Sequence, residues 1–420
     1  VPLLRFKGVI DDWEQRKLGE RYSKIRNAFV GTATPYYVDK GNFYLESNNV
    51  KNGKLNFNTS VYINEVFYQK QKANWLHTGD LVIVQSGHVG HSAVIPEELN
   101  NTAAHAVIIV ANPKEQTDPY FVSDYLQTQN AAKKIENITT GNTIRHILAS
   151  AMKEFQVPMP SFSEQLKISQ LMQVLDHTLA LHQRKLDLLK QLKKGFLQQM
   201  FPQNGETIPK VRFTAFDGDW EQRKLGKFFD FSVSTNSLSR AQLNYDEGVI
   251  RNVHYGDILV KYGPILDIRR DEIPFITGGT LDKYKNGLLE NGDIIFTDAA
   301  EDETVGKAVE VSGIKGDFVV SGLHTIVAKP KEKIATFFVG YYINSDTYHR
   351  QLLPLMQGTK VSSISKNNLQ KTTFSYPKST DEQSKIGTFF KQLDETITLH
   401  QQKLILLKQL KKGFLQKLFI

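Results

Sequence analysis

Two stretches of the chain carry apolar residues at helical spacing over more than four heptads. Ile168, Met172, Leu175, Leu179, His182, Leu186, Leu189, Lys193, Phe196 and Met200 step by alternating four and three residues. Ile386, Phe390, Leu393, Ile397, His400, Leu404, Leu407, Lys411, Phe414 and Leu418 do the same. Eight of the ten positions in each series are apolar, the a/d seam of a coiled coil. The spacing predicts helices over residues 164–200 and 382–419, each about 55 Å long at about 1.5 Å per residue. Two such seams in one chain are expected to pack on each other. The first helix leads away from one globular segment and the second must return, so the pair is predicted to run antiparallel, giving two heads on a shaft. His182 and His400 hold the same seam position, which suits a register-setting polar pair better than a ligand role.

Between the seams the pattern changes to short apolar runs at 79–85, 106–111, 256–261, 293–297 and 319–328. These are predicted strands, broken by Gly, Asn, Asp and Pro. Helices are predicted near 119–135 and 335–353. Each intervening segment therefore reads as an α+β domain, a curved β-sheet plus helices.

The sequence also repeats itself. Asp12-Trp13-Glu14-Gln15-Arg16-Lys17-Leu18-Gly19 recurs letter for letter as Asp219-Trp220-Glu221-Gln222-Arg223-Lys224-Leu225-Gly226, with Pro2, Arg5 and Phe6 matching Pro209, Arg212 and Phe213. His182–Phe201 matches His400–Phe419 at 16 of 20 positions, so the chain is two copies of one unit, a pseudo-twofold internal repeat. The segments in between share only landmarks: Gly79–Ile83 with Gly292–Phe296, Val89-Gly90 with Val305-Gly306, Ile109–Ala111 with Ile326–Ala328, and Gly141–Ile147 with Gly358–Ile364. A shared frame with two divergent inserts implies one common task and two different recognition tasks. Because residues 2–6 match the segment just after the first shaft helix, the amino end is expected to lie where the second helix finishes.

Composition narrows the class. At 420 residues, with 40% hydrophobic and 23% charged residues, the chain is long enough for several domains and is not disordered. It contains no cysteine, which removes disulfides and thiolate chemistry and fits a reducing, cytoplasmic setting. Its most apolar run, 104–111, is far short of the roughly 20 residues that span a bilayer, and the amino end lacks a secretory pattern. The sequence begins at Val rather than Met, which leaves room for a short leader outside it. The net charge of +8 comes from the two helical regions: residues 151–226 hold 11 basic and 8 acidic side chains, residues 369–420 hold 9 and 4. The balance allows a nucleic-acid partner, but the near-neutral inserts are not broad electrostatic clamps.

No catalytic pattern stands out. The Asn/Asp-Pro-Pro-aromatic signature of amino-methyltransferases, a GxGxxG motif and a P-loop are all missing from the sequence. His88 and His91 could suggest a metal pair, but a third ligand is not nearby and a polar loop is the better reading; the expected metal content is none. The acidic run Asp298, Glu301, Asp302, Glu303 suits a solvated loop, or one accepting hydrogen bonds from cytosine N4, better than a Mg2+ site.

The duplicated frame resembles the specificity subunit of type I restriction-modification systems. The carriers are Trp13, Leu18-Gly19, Glu164-Gln165, Ile168, Leu175-Asp176 and the Lys190–Gln198 stretch. Their copies are Trp220, Leu225-Gly226, Glu382-Gln383, Ile386, Leu393-Asp394 and Lys408–Gln416. The resemblance covers essentially the whole chain. It implies two target-recognition domains (1–153 and 209–371), two conserved coiled-coil helices (154–201 and 372–420) and a linker at 202–208. It also implies that each head reads one half of a bipartite, asymmetric DNA site. The chain itself would be non-catalytic: two methylation subunits and restriction subunits would act on double-stranded DNA, using S-adenosylmethionine, ATP and Mg2+, with no cofactor bound by this chain. Candidate base readers are polar residues in landmark loops: Tyr36, Asn48, Lys51, Gln85, Ser86, His88, Asn142, Thr143 and Arg145 in the first head, and Arg251, Lys261, Tyr262, Arg269, Arg270, Thr359 and Lys360 in the second. The competing reading is a non-enzymatic scaffold whose heads bind proteins or other ligands. The basic runs Lys193-Lys194 and Lys411-Lys412 are expected to be exposed docking features.

Overall fold

The structure is a computed structural model that describes residues 2–7, 12–141, 145–358 and 360–419. The chain divides into two units, Val1–Gln183 with Gln402–Ile420, and Arg184–Gln401. Each unit holds one head and a part of both long helices.

The principal strands of the first head are β1 (Glu14–Lys17), β2 (Tyr22–Asn27), β3 (Asn42–Glu46), β4 (Leu81–Val84), β5 (Ser92–Val94), β6 (Ala103–His105), β7 (Val107–Pro113) and β8 (Gln156–Met159). Helix α1 (Pro119–Leu126) follows β7, and helix α2 (Phe162–Gln199) follows β8. The central sheet has the order β2–β7–β4–β5 and is antiparallel throughout. Its middle strands read as continuous apolar runs because both faces are covered. Leu81, Ile83, Ile108 and Val110 enter one core with Phe121 and Tyr125 of α1, while Val82, Val84, Val107 and Ile109 enter a second core. The repeated EQRK segment is β1, laid antiparallel on β8 with Glu14 opposite Met159. β6 belongs to another four-stranded sheet, parallel to β3, so the chain crosses between sheets at the β6–β7 junction.

The second head repeats this plan with β9 (Glu221–Lys224), β10 (Phe229–Asp230), β11 (Ile250–Val253), β12 (Ile265–Asp267), β13 (Ile294–Thr297), β14 (Ala308–Ser312), β15 (Phe318–Ser321), β16 (Thr325–Pro330) and β17 (Thr373–Tyr376). Helix α3 (Phe338–Ile343) packs beneath it, and helix α4 (Thr380–Lys417) follows β17. The central order is β10–β16–β13–β14–β12. β9 pairs with β17, Glu221 opposite Tyr376. β15 runs parallel to β11 in a separate sheet, as β6 does to β3.

Both long helices form, at 38 residues each, and every described seam position in them is buried or half-buried. In the first unit the opening part of α2 lies with the closing part of α4, and Ile168, Met172 and Leu175 share a core with Leu418 and Phe419. In the second unit the opening part of α4 lies with the closing part of α2, with Ile386 and Phe390 beside Met200 and Phe201. Within each unit the two helices therefore run antiparallel. The amide of Leu4 donates to the carbonyl of Lys417 (2.9 Å), and in the other copy Val211 donates to Gln199 (3.0 Å), so the expected closure of the repeat is present in hydrogen-bonded form.

Four local expectations change, the first being that the run at 319–328 is not one strand but two, β15 and β16, in different sheets, broken where His324 takes φ 54°. Residues 256–261 are not a strand: Tyr255–Val260 is a helical turn because the His254 ring accepts the Gly256 amide at its start and only one side is buried. The helix expected over 119–135 breaks after Leu126, where Thr128 caps a new helix by accepting from Ala131. The one expected over 335–353 breaks likewise at Ser345, which caps by accepting from Tyr348.

Candidate functional site

The repeated residues turn out to be a lock between lead-in segment and long helix. Glu164, almost fully buried near the start of α2, accepts from Arg5 through both oxygens (3.0 and 2.7 Å) and from the Trp13 indole (3.1 Å). Glu382 of α4 accepts from Arg212 at 2.7 and 2.8 Å. Gln165 accepts the Asp118 amide and donates to the Pro160 carbonyl; Gln383 accepts the Ala335 amide and donates to the Pro377 carbonyl. Each Glu-Gln pair thus ties three chain segments together with charge-assisted and satisfied hydrogen bonds. The copies are not identical: among the described residues the buried Trp220 indole N–H has no partner, where Trp13 has Glu164.

In the first head the landmark loops converge. Ser86 forms a β-bridge with His146, next to Arg145, and Ile147 donates to the Gln85 carbonyl (3.0 Å). Asn48, Ser86 and His88 line a cleft of about 300 Å³ together with His105 and Ala106. Arg145 reaches Glu136 and lines a neighbouring cleft with Gly87 and His91. Burial and the adjacent His88 hold the His91 imidazole below its ordinary pKa. Among the described residues no three His, Asp or Glu gather as metal ligands. Lys51 lines an adjoining cleft of about 720 Å³ with Asn48, Lys54, Lys408 and Lys412. Tyr36 stacks on Phe67 at 4.0 Å and is part of the packing. Asn142 and Thr143 lie outside the described residues, as does Thr359 of the second head.

Five candidates of the second head gather about the 267–272 loop, but through contacts internal to the protein. Arg251 donates to the Ile268 carbonyl and lies over Phe275. Lys261 is bound to Glu272, and Tyr262 is buried with its hydroxyl donating to the Glu272 carbonyl. Arg269 pairs with Asp267, and Arg270 reaches Glu395 of α4. Lys360 is exposed. What stands where Gln85 stands in the first head is Asp298, one residue past β13, hydrogen-bonded to His324 at 3.2 Å. The landmark pairing of Gly79–Ile83 with Gly292–Phe296 places Gln85 and Asp298 at equivalent positions. That signal marks Asp298, whose acidic neighbours otherwise read as a solvated loop; nothing comparable marks His324.

On the helices, the notion of Lys193 and Lys411 as free basic features is corrected. Lys193 pairs with Asp394, which also accepts from the Tyr341 hydroxyl; Lys411 pairs with Asp176, which also meets Lys54. A lysine at a seam position lies against the partner helix, so its ammonium takes the nearest carboxylate there. Lys194 and Lys412 are exposed. A different surface feature is duplicated: Leu181, Leu188 and Leu192 of α2 and their copies Leu399, Leu406 and Leu410 of α4 are between 44 and 64% exposed.

A family model of the type I restriction modification DNA specificity domain matches the chain twice, over residues 10–191 and 217–409. The chain is 22% identical over 237 residues to the MjaIX specificity subunit of a type I restriction enzyme from Methanocaldococcus jannaschii. That match covers 53% of this chain and 51% of the relative, so the chain spans about half the length of the curated relative it matches. Among solved structures, the S subunit of a type I restriction-modification system from M. genitalium is similar with a TM-score of 0.61 at 16% identity, covering 100% of this chain and 99% of that one. A chain from a structure on complex assembly and conformational transition of the type I R-M system gives a TM-score of 0.53 at 15% identity, covering 98% of each. At these identities the likeness is one of fold.

Proposed function

Because the chain belongs to the type I restriction-modification DNA specificity family, we propose that each head reads one half of a bipartite, asymmetric site in double-stranded DNA, and that the chemistry is done by partners. Two methylation subunits modify adenine using S-adenosylmethionine, and restriction subunits use ATP and Mg2+. This chain supplies recognition and no catalytic residue.

The observation that carries the reading is the contrast between frame and inserts. The lock residues Arg5, Glu164 and Gln165 recur as Arg212, Glu382 and Gln383 with the same Arg–Glu ion pair and the same Gln hydrogen-bond pattern, while the side chains at equivalent loop positions differ between the heads. Identical frames suit identical partners, and divergent loops suit different half-sites, since sequence is read by a few base-edge contacts and affinity by phosphates that partners can neutralise. The duplicated exposed leucines on α2 and α4 support two docking positions for one kind of subunit, because apolar side chains in this number on a polar helix are relieved by burial at an interface. The test is the assembly at saturating methylation subunit. A measured mass with two copies, and duplex binding with sequence preference, is expected. An assembly that stops at one copy, or binds DNA without preference, contradicts the reading; the latter favours a scaffold.

A further inference from the structure

The two heads share a strained backbone feature that the lock does not explain. Where the chain crosses from the second sheet to the central sheet, Ala106 has φ 56° and His324 has φ 54°. Both lie in the left-handed region, where glycine is the residue without a Cβ penalty. Two hydrogen bonds beside them recur in both heads. Gln85 N–H donates to the Ala106 carbonyl (3.2 Å) and Asp298 N–H to the His324 carbonyl (3.1 Å). Ile147 N–H then donates to the Gln85 carbonyl (3.0 Å) and Ile364 N–H to the Asp298 carbonyl (2.8 Å). Three loops therefore meet at one backbone node in each head, and the side chains mounted on it differ.

In the second head the node carries a polar pair. Asp298 Oδ1 lies 3.2 Å from His324 Nδ1, the two side chains are 33 and 47% exposed, and the Tyr255 ring stands edge-on to the imidazole at 5.2 Å. Neither Asp298 nor His324 belongs to an apolar core. In the first head the node carries Ala106, which has no functional group, and Gln85, whose Oε1 is buried and has no hydrogen-bond partner among the described residues.

We infer that the Asp298–His324 pair is the specificity-determining centre of the second head and reads the N4 amine of a cytosine in the major groove. This rests on the proposed function. A carboxylate beside Nδ1 keeps the proton on that nitrogen, so in the neutral imidazole Nε2 is a bare acceptor. The second oxygen of Asp298 is an acceptor as well. A paired exocyclic amine leaves one N–H free in the major groove, which one of these acceptors takes, and the other must then face a position that is not itself an acceptor. Cytosine sets its C5–H edge on one side of that amine and has the paired guanine O6 only on the other, whereas adenine N6 lies between its own N7 and thymine O4 and opposes a second acceptor on either side. A neutral amide and a methyl at the same node of the first head impose a different demand, so the two half-sites differ at this place.

The test uses the full chain assembled with its methylation subunits, the methylated motif of a genome expressing it, and affinity for duplexes carrying each base at the assigned position. The wild type is expected to favour cytosine there by roughly tenfold. Asp298→Asn replaces an acceptor with a donor and His324→Gly removes the ring while easing the φ > 0 residue. Both should cut the preference to under about threefold and relax one position of a single half-site, leaving the other half intact. Thermal unfolding of His324→Gly at or above the wild-type midpoint shows that the fold is kept, and Asp298→Asn gives an independent reading should that variant unfold early. An unchanged half-site in both variants, or a wild-type preference for a base other than cytosine at every position of that half, overturns the inference. A wild-type assembly with no bipartite motif would instead overturn the reading beneath it.

Discussion

Buried carboxyl groups set how this fold responds to acid and base. Asp124 of α1 sits behind the Asp176–Lys411 pair; burial pushes its carboxyl up to about 8, with Lys411 acting downward and Asp176 upward. Burial similarly raises Glu310, which accepts the Gly340 and Phe337 amides, to about 7. For Asp124 the folded state keeps a proton that the unfolded chain has lost between about pH 4 and pH 8, so its contribution makes the fold less stable as pH rises through that window. Below about pH 4 both states are protonated and the cost vanishes. Asp124→Asn is therefore expected to raise the thermal midpoint by a few degrees at pH 8 and by little at pH 4, measured as paired melting curves. An offset that is the same at both ends of the window would contradict this. Such residues were invisible in the sequence: Asp124 sits at the position held by Tyr341 in the other copy, and nothing in its neighbours marks a carboxyl for burial.

At the scale of elements, the two long helices were legible because period counting over four heptads averages out single substitutions. The bounds moved by only two residues at each start, to Phe162 and Thr380. Short elements were not: six residues at 255–260 give no period to count, and a histidine cap decided helix over strand. The exposed leucines were passed over for a related reason, since a seam count registers a and d positions and takes no notice of the flank. Seam register itself can be tested. Seven residues inserted after Leu186 and again after Leu404 preserve the a/d alternation, whereas four residues rotate everything beyond them out of register. The double seven-residue variant should melt within a few degrees of wild type, and the four-residue variants should lose cooperative unfolding or aggregate. Equal behaviour of the two designs would mean that the seam does not hold the helices.

For the whole molecule, the duplication was the most informative feature of the sequence. It separated a frame, whose repeated letters explain the Arg5–Glu164 and Arg212–Glu382 locks, from two inserts with little in common. The frame could be assigned residue by residue because both copies preserve it. The loops proposed to read DNA could only be assigned by region: in the first head Gln85, Ser86 and Arg145 do come together, in the second the chosen arginines are bound to acids or carbonyls, and the node there is Asp298 with His324. Polar loop residues look alike in sequence whether they are held internally or left to face a partner. The central claim is that each insert reads its own half-site. Exchanging residues of about 21–150 for the insert of a related chain, co-expressing with the methylation subunit and sequencing the methylome tests it most directly. The account predicts that one half of the modified motif changes and the other stays; a motif in which both halves change, or neither does, would contradict it.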